Sequence, residues 1–301
     1  MPSTYTKTAL TFDQQLDKLV ERGLHITDRT NALSALSSTS YYRLISYWPP
    51  YLNHVVPNGT PLRFIDGTTF DDVITLYEFD RHLRLLIMDA LERVEIHVRT
   101  LMTYHLGHTY GAFGHTVPEN FHPKFNHADW LRKLESEALR SSDTFISHYK
   151  NKYQNFPTLP IWMTTEIMSF GTLSFGYTGL KNEDKKIISK QMGLHHRRLK
   201  DWLHKLTYIR NVCAHHSRLW NRELAIRPET VRDRLWNPPI TPRKDRLFYV
   251  LLMLRFLLRN SGNGDEWAQR CNALLRPVTE NQQFREAMGI PKDWQNHPLW
   301  K

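Results

Sequence analysis

"FDDVITLYEFDRHLRLLIMDALERVEIHVRTLMTYH", residues 70–105, decides the fold. Leu76, Phe79, Leu83, Leu86, Ala90, Val94, Val98 and Leu101 recur at intervals of three and four, which draws one apolar face along a long α-helix. Neither proline nor glycine interrupts it. The same periodicity extends outward in both directions. "TFDQQLDKLVERG" offers Thr11 as N-cap with Gln14 three residues on, an apolar side of Leu16, Leu19 and Val20, and a stop at Gly23. "SYYRLISYWPPYL" reads as a short aromatic helix ended by Pro49 and Pro50. Further helices are expected near 129–139 and 142–153. "LPIWMTTEIMSFGTLSFGYTGL" starts helical at Pro160 and is punctuated by Gly171, Gly176 and Gly179. Asn182 is expected to cap the next helix, and another runs from about His195. Pro242 stands at the start of a strongly apolar helix that ends near Asn260. Shorter helices follow Asp265 and Glu280. No repeat, low-complexity tract or strand alternation competes. The expectation is an all-α multi-helix bundle, with an N-terminal helical region (1–66), a central helical domain (67–236) and a C-terminal helical region (237–301).

Composition narrows the function. With 41% hydrophobic and 23% charged residues the chain is globular, not disordered. Cys213 and Cys271 lie too far apart for a zinc ligand set and are too few for a disulfide framework. His105 and His108 have ligand spacing without a third ligand nearby, so neither a metal nor a cofactor is expected. The start "MPSTYTKTALTFDQQ" lacks the apolar core of a secretory leader. The longest apolar run, 247–254, is too short to span a bilayer. A cytoplasmic protein with no membrane partner is the expectation. The net charge of +10 is concentrated: residues 181–246 hold 17 Lys and Arg against 7 Asp and Glu, and the remainder cancels. A field so localised points to a polyanionic partner, RNA or DNA.

Within that segment, "LHKLTYIRNVCAHHSRLWNREL" (203–224) carries the chemistry-bearing residues. On an ideal helix Leu199, Trp202, Leu203, Leu206, Ile209 and Cys213 share a core-facing stripe. Arg210 falls inside it, whereas His204, Tyr208, Asn211 and His215 fall opposite. A guanidinium on a core-facing stripe requires a carboxylate, a phosphate or an opening to solvent. Glu92 and Glu95 on the long helix can supply the acid, although Glu95 and Arg99 also form an ordinary i,i+4 pair. Arginine followed after four to six residues by histidine occurs five times: Arg99–His105, Arg197–His204, Arg198–His204, Arg210–His215 and Arg210–His216. Chance alone accounts for about four, so spacing does not choose among them.

Context does choose. The block 203–224 resembles the most characteristic stretch of the Abi-like family, bacterial abortive-infection proteins of the AbiD/AbiF type. "ALTFDQQLDKLVERGL", "SYYRLISYWPPY", the long helix, "FISHYKNKY" and "LPIWMTTEIMSFGTLS" follow the family's order, over about residues 5–230. Such proteins are similar to HEPN ribonucleases, whose signature is an arginine and a histidine at this spacing. The resemblance implies that Arg210 and His215 are the catalytic pair of a metal-independent endoribonuclease. It further implies that two copies of the motif meet in a homodimer. Supporting roles are then expected for Asn211, His216, Glu92 and Glu95. Arg197, Arg198, Lys205, Arg218, Arg222 and Arg227 are expected to bind the RNA backbone. Tyr41, Tyr42, Tyr47 and Trp48 suit base stacking but equally suit a core. The alternative is an RNA-binding module, or a toxin held inactive by an antitoxin RNA or protein, in which the motif binds and does not cut.

Overall fold

A computed structural model of the chain describes residues 4, 6, 8–54, 62–227, 236, 242–259, 262 and 264–301. Among them are thirteen α-helices and no β-strand, so the fold is all-α as the periodicity predicts. The chain divides into two units, Met1–Leu83 and Arg84–Lys301. Residue 237, where the C-terminal region is expected to begin, lies outside the described residues.

The first unit holds α1 (Phe12–Glu21), α2 (Arg29–Thr39), α3 (Tyr41–Leu44) and the start of α4 (Phe70–Tyr110). Thr11 and Gln14 form the expected capping box at α1. The Thr69 hydroxyl accepts the Asp72 N–H at 3.1 Å, and Asp72 accepts the Thr69 N–H at 2.8 Å, which closes the start of α4 in the same way. Pro49 and Pro50 do not simply end a helix. They open a 3-10 turn, a position that proline tolerates because its missing N–H is unneeded there. Of the aromatic cluster, Tyr47 and Trp48 are core residues at 1% and 3% exposure, and the Tyr47 hydroxyl donates to Asp80 at 2.7 Å. Tyr41 packs edge-on against Trp48, and Tyr42 alone stands clear at 85% exposure.

In the second unit α4 continues to Tyr110. The apolar stripe of this helix is buried from Leu76 to Val98, and Leu101 is half-buried. Then follow α5 (His127–Arg140), α6 (Thr144–Lys152), α7 (Ile161–Ile167), α8 (Phe170–Gly179), α9 (Asn182–Gln191) and α10 (His196–Ala214). The segment expected to be punctuated by glycines breaks at Met168–Ser169 instead, where the Ser169 hydroxyl caps α8. Gly171, Gly176 and Gly179 all lie inside α8. A Cβ on Gly176 would stand 2.7 Å from the Trp130 ring, so this glycine admits an indole and does not end the helix. Trp130 donates its indole N–H to the Thr172 carbonyl at 3.1 Å, fixing α5 against α8. Asn182 is the first residue of α9, and the extended Lys181 occupies the cap without a side-chain bond.

The C-terminal helices are α11 (Leu247–Arg259), α12 (Gly264–Thr279) and α13 (Gln282–Ala287). Residues 247–255 of α11 are all buried, as befits a helix packed on every side. Trp267 of α12 donates to the Leu86 carbonyl at 2.8 Å and so ties the C-terminal helices to α4.

The stretch between α4 and α5 is pinned by two buried histidines. His127 donates through Nε2 to the His115 carbonyl at 2.8 Å. Burial pushes the His115 imidazole down to about 4, the nearby His127 adds to this, and a hydrogen bond with Ala112 opposes it. Because the folded state disfavours protonation of His115, stability should be complete above about pH 6.5 and decline toward pH 4, by up to about 3 kcal/mol. Urea unfolding of the wild type and His115→Gln at pH 7.5 and pH 5 checks this. The variant should lose much of the pH dependence, and equal slopes in the two proteins would contradict the assignment.

Candidate functional site

α10 organises the site. Its buried face, Leu199, Trp202, Leu203, Leu206, Ile209 and Cys213, matches the predicted stripe residue by residue. Trp202 meets Phe256 of α11 edge-on at 5.7 Å. Arg210 is half-buried at the margin of that stripe, and His204, Asn211 and His215 are exposed. Among the described residues no acid pairs with Arg210. Glu95 is bound to Arg99, whose guanidinium also donates to the Glu166 and Met168 carbonyls at the end of α7. Glu92 is exposed. Neither glutamate therefore orients Arg210: the i,i+4 reading holds for Glu95, in a partly buried pair that clasps the α7–α8 junction.

The motif straddles a helix end. His215 is the C-cap of α10, and its N–H bonds to the Asn211 carbonyl at 3.0 Å. His216 follows in the left-handed region at φ 53°. The His216 N–H bonds to Cys213 O and the Ser217 N–H to Val212 O, both at 3.0 Å, which is the Schellman closure with histidine where glycine is usual. The next residues are drawn inward. Leu219, Trp220 and Leu224 are buried, and Trp220 meets Phe284 of α13 edge-on at 5.4 Å. Leu224 N–H bonds to Asp245 O, and Arg246 donates to Asn221 O. The C-terminal region thus holds the turn that presents His215. Cys213, two residues before His215, and Cys271 of α12 are buried and not joined in a disulfide.

The cations expected to bind RNA fall into different settings. Lys205 is a correction: it is 5% exposed and bound to Asp201 at 2.9 Å, because its place on α10 lies between core positions. Arg227 is exposed and paired with Glu223 at 2.6 Å. Arg222 is half-buried and donates to the Arg218 carbonyl. Arg197 is exposed, and Arg198 is half-buried.

Arg197 also lines a groove of about 1000 Å³. His122, Lys124, Phe125 and Asn126 from the loop before α5, Ser174 and Phe175 from α8, Asn182 and Lys185 from α9, and His196, Lys200, Asp201 and His204 from α10 complete its wall. Neither Arg210 nor His215 reaches it. Lys185 is 7% exposed. Burial lowers the pKa of its ammonium, Lys200 lowers it further, and Asp184 works against both. Both oxygens of the buried Asp184 are engaged, by His105 Nε2 at 2.7 Å and by the Tyr110 hydroxyl at 2.9 Å. His196 is likewise depressed, first by burial and then by His195, Lys186, Arg197 and Lys185. Sequence reasoning passed over this groove because four separate elements build it. Its one legible signal is the density of lysines at 181–200.

These features define an all-α protein that gathers a cationic groove and an arginine–histidine turn on one helix. The family model described as Abi-like protein matches residues 34–221, more than half of the chain, and the chain belongs to that family. Membership fits a role in abortive infection. The matched span holds both the groove and the turn. No curated protein and no solved structure matches the chain. Among the described residues no helix is long and apolar enough to cross a membrane, and no three His, Cys, Asp or Glu side chains are grouped to hold a metal ion.

The left-handed residue gives a measurable consequence. His216→Gly should be more stable than His216→Ala by about 1 kcal/mol, because both lack the imidazole and only alanine keeps the Cβ penalty. Chemical denaturation of the two variants measures the difference. Equal stabilities would place the strain elsewhere.

Proposed function

We propose that this protein is a HEPN-type endoribonuclease of abortive infection that cuts RNA without a metal. The observation that carries the reading is Arg210, a half-buried cation without an acidic partner among the described residues, followed five residues on by the exposed His215 at a helix end. Arginine retains its charge and offers a planar fork to the non-bridging oxygens of a phosphodiester. Histidine exchanges protons near neutral pH. In the proposed step the 2′-oxygen loses its proton and attacks phosphorus. The bond to the 5′-oxygen then breaks, and that oxygen takes up a proton. The products are a 2′,3′-cyclic phosphate and a 5′-hydroxyl.

One imidazole does not serve both sides of the phosphorus, and residues five apart on a helix project about 140° apart. A homodimer that apposes two motifs resolves both difficulties. Asn211, between the two, and His216, directly after them, are the nearest candidates for orienting the pair. A second reading, an RNA-binding protein or a toxin restrained by an RNA or protein partner, is favoured by the groove, whose cations lie away from the motif.

His215→Ala should abolish cleavage with little loss of RNA affinity, and Arg210→Ala should abolish cleavage with some loss of affinity. His108→Ala, at an exposed position bonded to the Tyr104 carbonyl, is the control and should remain active. Assays are run in EDTA on RNA with single 2′-deoxy positions. Cleavage by His215→Ala, or at a 2′-deoxy position, overturns the mechanism. Tight binding by a wild type that cuts no RNA favours the second reading.

The composite site is tested separately. Sedimentation at micromolar concentration should show a two-chain species, and mixing Arg210→Ala with His215→Ala should restore partial activity if each dimer site draws on both chains. Full activity in a protein that is monomeric with and without RNA would exclude it.

A further inference from the structure

We propose that the groove between α8 and the first half of α10 is a nucleotide-binding site in which Lys185 is the principal phosphate ligand. The inference is independent of cleavage at Arg210 and His215, which lie outside the groove.

Lys185 is the starting point. The residue is only 7% exposed, yet no described residue forms an ion pair with it. The adjacent carboxylate of Asp184 is committed to His105 and Tyr110. The other acid of the groove, Asp201, is neutralised by Lys205. A lysine so largely withdrawn from water without an ion-pair partner is costly, and an anion entering the groove would offset that cost. His196 Nδ1 is a fully buried polar atom without a hydrogen-bond partner. Lys124, Arg197 and Lys200 at the open side add positive charge, which favours the entry of a phosphate.

The remaining wall suits what a phosphate carries. Phe125 and Phe175 are half-buried rings 5.0 Å apart that line the groove, and the Lys133 ammonium sits over Phe175 at 5.0 Å. Aromatic rings beside cations bind bases by stacking while the cations hold the backbone. A volume of about 1000 Å³ has room for a nucleotide unit. An RNA strand and a free nucleotide share this chemistry, and binding competition separates them.

The test uses full-length His215→Ala protein, so that RNA is not consumed. Fluorescence anisotropy follows a labelled single-stranded oligoribonucleotide of about ten residues, with AMP and ATP as competitors. Lys185→Met, which keeps the side chain's length and removes its charge, should weaken binding at least about tenfold. Its melting temperature should be unchanged or raised, since a charge without an ion-pair partner has gone from a largely buried residue. Lys200→Ala and Arg197→Ala, at exposed positions, should weaken binding in the same direction and do not depend on repacking the interior. Oligonucleotide bound without competition by millimolar AMP or ATP assigns the groove to an RNA strand. Competition by either assigns it to a free nucleotide. Unchanged affinity in Lys185→Met and Lys200→Ala, or a wild-type groove that binds neither ligand, overturns the proposal. Failure of cleavage by the wild type would leave these binding results standing, so the two readings fail separately.

Discussion

The contact of Trp130 with Gly176 is the constraint on which the groove depends. An indole lies where any side chain on α8 would have to be, and its N–H is satisfied by a carbonyl of the same helix. That arrangement holds α8 at one distance from α5 and leaves the opposite side of α8 to α10. Phe125, packed against Trp130 and Phe175, comes to the edge of the groove as part of the same aromatic cluster. Close packing and an open cationic cleft are thus two faces of one helix. A single methyl group at position 176 would disturb both.

α10 performs a comparable double service along its length. Its first half contributes cations to the groove, its middle is a stripe of core residues, and its end delivers Arg210 and His215 on diverging sides. The core stripe fixes how far the two ends can rotate relative to one another. Phe256 of α11 meets Trp202 edge-on in the first half of the helix, and Phe284 of α13 meets Trp220 edge-on just beyond its end. A region outside the family match therefore takes part in holding the turn that carries His215.

The fold was legible because a helix advertises its buried face at a fixed spacing. The stripes of α4 and α10 follow from that alone, whereas Arg210, which ideal geometry places inside the α10 stripe, is only half-buried. The errors came where one dimension carries no depth. Gly176 reads as a break and is a clearance for a ring. Lys205 reads as a surface cation, yet its position on the helix places it between core residues, where Asp201 one turn away completes it. Glu95 offers itself to Arg210 or Arg99, and only the position of the α7 carbonyls decides for Arg99. The groove is the clearest case. His105 and Asp184 are 79 residues apart, and no local pattern announces that one will take up the carboxylate lying beside Lys185.

The two buried thiols have a use that follows from their places. Cys213 sits between Arg210 and His215, and Cys271 sits in α12, on a different helix; both are withdrawn from solvent, and burial pushes the Cys271 thiol up, away from its reactive form. An alkylating reagent reaches either only when its own helix opens. Cys213 modified ahead of Cys271 would report fraying of the turn that carries His215, and modification of both together would report loss of the whole unit. The chain thereby holds two native clocks, one of them set within the segment whose motions matter most.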